Sequence, residues 1–265
     1  MIGRRSFLAM TAAAGAASMS GVEAARAAEG KAEGETGRTF YELRAYEVET
    51  EAQKAALLAF WAGAAIPAYN RLGVSPVGVF VAADQLSPVY VLLPHASIES
   101  VAAATEKLLA DEEYLAKGAA FLDAPAASPA YKRVESCLLK AFTGMPRLER
   151  PAESATRVFQ LRIYESPGVK AGQKKIEMFN TAELAIFRKT GLNPVFFGES
   201  LIGTKMPNLT YMVGFENADA QTAAWDTFRA DPEWLELRAR PEYADKEIVS
   251  GITNIVLNPA ECSQI

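Results

Sequence analysis

The sequence predicts an α+β protein of two tandem ferredoxin-like β-α-β-β-α-β units, packed sheet to sheet as a dimeric α/β barrel within one chain. Three observations carry this. The chain repeats itself about 118 residues apart: Phe40-Tyr41-Glu42-Leu43-Arg44-Ala45-Tyr46 returns as Val158-Phe159-Gln160-Leu161-Arg162-Ile163-Tyr164, Gly73 meets Gly191, and Pro76 meets Pro194. Further on, Asp111-Glu112-Glu113-Tyr114-Leu115 answers Asp231-Pro232-Glu233-Trp234-Leu235. So long a period means two copies of a whole domain, since solenoid repeats run at roughly 20–50 residues. Both copies give the same order of elements. Their first strands also alternate an apolar set with a polar-aromatic set, so each sheet has one face for its own helices and one for the other unit.

In order, the first unit (residues 39–143) opens with a strand at 39–48. A helix follows over 51–72, with Leu58, Trp61, Ala65 and Tyr69 at helical spacing. Pro67 is expected to kink it or end its regular part, and Gly73 stops it. Strands at 74–82 and 88–93 join through Asp84-Gln85-Leu86-Ser87. A second helix spans 98–110, a short helical turn 112–117, and a last strand 132–142. Residues 144–156, rich in Pro, Arg and Glu, form a linker. The second unit (157–258) repeats the order: strand 157–165, helix 171–190, strands 193–202 and 209–215, helix 220–229, a short helix opening at Pro232, and strand 248–257. In its first strand Phe159, Leu161 and Ile163 are assigned to the helix side, and Gln160, Arg162 and Tyr164 to the open face between the sheets.

Residues 1–27 are expected to be a Tat export signal, placing the protein in the periplasm or outside a bacterial cell. Arg4-Arg5 precede Phe7-Leu8, an Ala-rich run follows, and Ala25-Arg26-Ala27 offers a cleavage site. The alternative is an unstructured N-terminal arm. Residues 28–38 read as a flexible tether. The leader carries three Arg and one Glu, so without it the net charge moves from −5 to −7. An acidic chain argues against nucleic acid or anionic membrane as its main partner, and nothing in it anchors a membrane after the leader is removed. Cys137 and Cys262 are the only cysteines, and their pairing stays open. No Cys/His cluster has metal-ligand spacing, and no P-loop, Rossmann glycine pattern or serine-hydrolase motif is present, so no cofactor is expected.

Tyr41-Glu42-Leu43-Arg44-x-Tyr46 and Gly73-Val74-x-Pro76-Val77-Gly78 resemble a NIPSNAP domain. In the second copy so do Leu209-Thr210-Tyr211-Met212-Val213-Gly214-Phe215-Glu216 and Ala224-Trp225-x-x-Phe228-x-x-Asp231-Pro232-Glu233-Trp234. The resemblance covers nearly all of residues 39–258. It implies the dimeric α/β barrel superfamily, which includes cofactor-independent monooxygenases and haem proteins, but no agreed catalytic set. The first copy departs from the pattern at Leu92-Leu93-Pro94-His95 and at Ala103-Ala104-Thr105, where the Trp-x-x-Phe element is missing.

Arg44, Tyr46, Arg162 and Tyr164 are the candidate ligand-binding residues, converging between the sheets on a small acidic or aromatic molecule: Arg offers a planar two-donor fork and Tyr a hydroxyl beside an apolar ring. A structural ion pair, for instance with Glu42, is the competing reading. His95, the only imidazole, is the one candidate general base or haem ligand; a surface residue at the start of a helix is the alternative. Trp61, Tyr114, Trp225, Phe228 and Trp234 read as core. The functional expectation is a small-molecule binder, with catalysis left open; if it is catalytic, the resemblance implies cofactor-independent oxidation or isomerisation. The alternative is a scaffold or interaction module of the cell envelope with a filled inter-sheet core. Monomer and homodimer both remain open.

Overall fold

The computed structural model describes residues 37–265, so the expected export leader and all but the last two residues of the tether lie outside the described residues. Eight strands form the frame: β1 (Phe40–Glu47), β2 (Gly78–Ala82), β3 (Val89–His95), β4 (Arg133–Ala141), β5 (Val158–Glu165), β6 (Asn193–Ile202), β7 (Asn208–Phe215) and β8 (Gly251–Pro259). They close into one antiparallel barrel in the order β1-β3-β2-β8-β5-β7-β6-β4. Each unit supplies a four-stranded half, β4-β1-β3-β2 and β8-β5-β7-β6, and the halves join edge to edge. Phe80, Val81 and Ala82 of β2 pair with Pro259, Asn258 and Leu257 of β8. Leu138 to Ala141 of β4 pair with β6 across a bulge. Closure removes the exposed edges that two separate sheets would carry. At the second seam a Cβ on Gly198 would stand 2.8 Å from the Leu139 Cβ, so glycine is required for the strands to approach.

Closure also decides which side of each strand is which, and here the expected assignment is reversed. Tyr41, Leu43, Phe80, Leu92, Leu139, Phe159, Leu161, Phe196, Met212 and Leu257 form one cluster drawn from both units, which fills the barrel interior. Glu42, Arg44 and Tyr46, with Gln160, Arg162 and Tyr164, point outward beneath the helices. The reason is desolvation: a barrel core shut off by both halves must be apolar, whereas the helix-covered side keeps access to water at its margins. Arg44 and Arg162 therefore do not converge between the sheets; each stands under its own helical layer.

Two helical layers cover the barrel. In the first unit α1 runs Glu51–Phe60, passes through a π-helical turn at Trp61–Ala65, and continues as Ile66–Arg71; α2 is Ile98–Leu109 and α3 Glu112–Leu122. The second unit has α4 (Val169–Met178, a π-helical turn at Phe179–Glu183, then Leu184–Lys189), α5 (Ala218–Ala230) and α6 (Pro232–Ala239). The two π turns occupy equivalent positions, 118 residues apart. Pro67, expected to kink α1 or end its regular part, sits in the first turn of the segment after the π turn, and the helix continues past it to Arg71. The second copy has Ala185 there, so proline is not the cause of the π turn. Gly73 and Gly191 close the helices with φ of 78° and 85°.

Three bounds also differ. The short turn after α2 is a full helix, β2 begins only at Gly78, and the last strand begins at Gly251 rather than 248, after helical turns at Pro241–Tyr243 and Asp245–Ile248. Asp111 and Asp231 cap α3 and α6, accepting from Tyr114 N and from Glu233 N and Trp234 N. Cys137 and Cys262 are both free. Among the described residues no helix is long and apolar enough to cross a membrane.

Candidate functional site

In the first unit the outward-facing residues of β1 form the floor of a cleft. Arg44 donates from Nε to Glu42 Oε1 (2.6 Å) and from Nη2 to Glu42 Oε2 (2.9 Å), the bidentate fork of a strong ion pair. Nη2 also reaches Tyr69 Oη at 2.8 Å, and Nη1 lies 3.5 Å from Tyr46 Oη. Ser136 of β4 donates to Glu42 Oε1 at 2.8 Å. Above this floor stand Phe60 and Trp61 of α1, Tyr114 and Phe121 of α3, and Tyr131, around a cavity of about 400 Å³. The indole N–H of Trp61 is buried without a partner. Burial works against the Glu42 carboxylate, but the Arg44 fork, Ser136 and His95 together hold its pKa below the usual range. Burial lifts the Tyr46 and Tyr69 hydroxyls above theirs against the pull of Arg44, so both remain protonated.

His95 is neither exposed nor in the cleft. At the end of β3 it is 1% exposed, with Nδ1 3.0 Å from Ser100 Oγ and Nε2 3.9 Å from Glu42 Oε2. Burial lowers its pKa, with Glu42 opposing and Arg44 adding to the shift, so the ring is neutral at neutral pH. It buttresses Glu42 from behind. The only imidazole of the chain is not placed to ligate a haem iron or to take a proton from a molecule in the cleft. Among the described residues no group of three His, Cys, Asp or Glu could hold a metal ion.

The second unit fills the equivalent space. Glu183 stands where the first unit has Ala65, and Lys175 where it has Leu57. These two form a buried pair at 3.1 Å, each nearly inaccessible to solvent, and the Lys175 Nζ lies over the Phe179 ring at 5.0 Å. Tyr164 packs in the same cluster, its hydroxyl accepting from Tyr211 Oη at 3.2 Å. Trp225 takes the place of Thr105 and stacks under Arg162, whose guanidinium carbon is 4.7 Å from the indole centroid. Of the four residues expected to meet at one site, Arg44 and Tyr46 share the first cleft, Arg162 lines a smaller hollow, and Tyr164 is core.

The match to known families follows the same two halves. The NIPSNAP family model matches residues 41–139 and again 159–264. The chain belongs to the NIPSNAP family. No curated protein is similar enough in sequence to match. Among solved structures, two proteins described as a "putative monooxygenase", from Fusobacterium nucleatum and Lactobacillus acidophilus, each superpose with a TM-score of 0.55 at 8% identity. Each match covers 84% of this chain, and 93% and 94% of theirs. A structure described as an anthrone oxidase-like protein matches with a TM-score of 0.52 at 9% identity, covering 84% of this chain and 92% of that one. At such identity the likeness is one of fold: the dimeric α/β barrel, here formed by tandem NIPSNAP units. The asymmetry of this NIPSNAP pair was visible in the sequence where Ala103-Ala104-Thr105 lacks the Trp-x-x-Phe element that carries Trp225. At the cleft the first copy carries small residues, Thr105 and Ala65, where the second has Trp225 and Glu183, and these leave it open.

Proposed function

We propose that this NIPSNAP protein binds a small, hydroxyl-bearing aromatic molecule in the first unit's helix–sheet cleft. The observation that carries this is the cavity of about 400 Å³ with aromatic walls and a single polar floor of Glu42, Arg44, Tyr46, Tyr69 and Ser136. Ligand cavities typically pair mostly apolar walls with a few convergent polar groups in a volume of this order. The Arg44 charge is already matched by Glu42, which favours a neutral guest over an acidic one. Glu42 accepts three hydrogen bonds and has capacity for a further donor, such as a phenolic hydroxyl. An enolisable guest would meet Arg44 and Tyr69 as donors to its enolate oxygen, the stabilisation needed for isomerisation or for cofactor-independent oxidation by dioxygen. The names of the structural neighbours point the same way.

The scaffold alternative expects a filled inter-sheet core, and the barrel interior is filled. What favours the ligand reading is a different space, the open cleft between the first unit's sheet and its helices. A thermal-shift and calorimetric screen of phenols, naphthols and anthrones tests it, with Thr105→Trp as the closing variant, since it installs the side chain that the second unit carries at Trp225. Binding by wild type and its loss in a well-folded Thr105→Trp protein is the expected result; no response to any aromatic hydroxyl compound would overturn it. The twin-arginine leader at Arg4-Arg5 supports export as part of the same proposal. Recovery of the protein only from the cytoplasm after cell fractionation would refute that part.

A further inference from the structure

We propose that the second unit carries a separate anion site, centred on Arg162, that takes a small planar carboxylate. The argument starts from one exchange between the copies. Position 42 is glutamate and its equivalent, 160, is glutamine. In the first unit the carboxylate grips the arginine two residues on. In the second, Gln160 is occupied elsewhere: its Oε1 accepts from Trp225 Nε1 at 2.5 Å and from Gln221 Nε2 at 2.9 Å, and its Nε2 donates to Asn254 Oδ1 at 2.5 Å. It has nothing to offer Arg162. The one buried carboxylate in that layer, Glu183, is held by Lys175 at 3.1 Å. Among the described residues no ion pair engages Arg162, and its Nε is shielded from solvent without a hydrogen-bond partner.

A half-buried guanidinium without a counter-charge is costly, because its field is only partly screened and its donors lose water without replacement. What surrounds Arg162 is built to receive an anion. The guanidinium lies 4.7 Å from the Trp225 ring centroid and 5.3 Å from that of Tyr164, which fixes its plane and directs the fork. It opens on a hollow of about 280 Å³, whose rim carries Arg229 and the side-chain amides of Gln221 and Asn254. Arg229 is paired with Asp226 at 2.5 Å, so the uncompensated charge in the hollow is that of Arg162 alone. One arginine fork with flanking amide donors matches one carboxylate, and the indole edge leaves room for a flat apolar group beside it. The site does not depend on the first cleft: it lies in the other helical layer and selects an anion where the first cleft favours a neutral guest.

The test uses the full chain and benzoate as probe, with benzamide as its neutral isostere and sodium chloride matched for ionic strength. Calorimetry should show saturable benzoate binding and none with benzamide. The decisive variant is Gln160→Glu, which gives Arg162 the partner that Arg44 has; it should melt no lower than wild type yet bind benzoate at least about tenfold more weakly, the worth of a charge-assisted hydrogen bond. Arg162→Gln should lose binding as well, and provides the reading if Gln160→Glu fails to fold. Thr105→Trp, which closes the first cleft, should bind benzoate unchanged. Equal binding of benzoate and benzamide, full affinity in Gln160→Glu or Arg162→Gln, or loss of binding in Thr105→Trp would each overturn the proposal; the last would assign benzoate to the aromatic cleft.

Discussion

Glu42 is the residue on which the first cleft turns, because Arg44, Ser136 and His95 all bear on its carboxylate. Two of these groups make stability depend on pH. The buried His95 holds its proton less tightly than the ordinary value of 6.5. Between that value and its lower folded pKa, the unfolded chain therefore binds more protons than the native one, and stability falls as pH falls. Glu42, depressed below 4.5, contributes stability that is present above that value and lost as pH drops through its folded pKa. Glu183, raised by burial, acts in the opposite sense, since the native state keeps its proton to higher pH. A difference isolates His95, which is the only histidine of the chain. From about pH 7.5 to about pH 5, urea denaturation should show His95→Asn losing less stability than wild type, while the limb at lower pH, set by carboxylates such as Glu42, persists. Parallel curves for the two proteins would show that His95 does not titrate on unfolding as argued. The sequence could nominate Arg44, Tyr46 and His95 by residue type, but it could not orient them. Strand alternation separates two faces without saying which is inside, and in a closed barrel under helices both faces are covered: Leu43 is as buried as Tyr46.

At the level of elements, the two units share helices, caps and π turns and differ in what hangs from them. The repeats, the hairpins and the helix stops were legible because they rest on local signals: turn residues, glycine after a helix, periodic apolar positions. The π turns were not, since no residue type specifies them; Trp61-Ala-Gly-Ala-Ala65 and Phe179-Asn-Thr-Ala-Glu183 share only an aromatic first residue and an alanine at the fourth. Nor was the filling of the second layer, because Lys175 and Glu183 are eight residues apart and meet only across the π turn. That pair gives a sharp prediction. Lys175→Leu alone strands a fully buried carboxylate and should cost about 3–5 kcal/mol, more at high pH than at low, because protonated Glu183 is easier to bury. The double variant Lys175→Leu, Glu183→Ala restores the first unit's own residues, Leu57 and Ala65, and should recover most of that loss. Chemical denaturation of the three proteins checks this, and a double variant no more stable than the single one would contradict it.

On the scale of the whole molecule, duplication has placed both halves of the barrel in one chain. The resemblance of residues 39–258 to tandem domains was enough to anticipate the barrel, because each unit's sheet has a second face that its own helices do not cover; that this face is the apolar one was not legible in the sequence. The edge-to-edge seams follow from closure, and they make each half incomplete in two ways. Cut off after residue 147, the first half would expose the edges of β2 and β4, which in the intact protein pair with β8 and β6. It would also bare Tyr41, Leu43, Phe80, Leu92 and Leu139, all buried in the barrel interior, each large side chain among them worth about 1.5–3 kcal/mol when removed from water. The pseudo-twofold arrangement offers a remedy, since a second copy of the same half presents the same two edges in complementary positions. Residues 37–147 expressed alone should therefore associate, with light scattering giving twice the chain mass at micromolar concentration, whereas the full chain should unfold in a single cooperative transition because its interior cluster draws on both halves. A soluble, folded monomer of the isolated half would mean that the interior does not bind the two units together, and two separate melting transitions in the full chain would say the same.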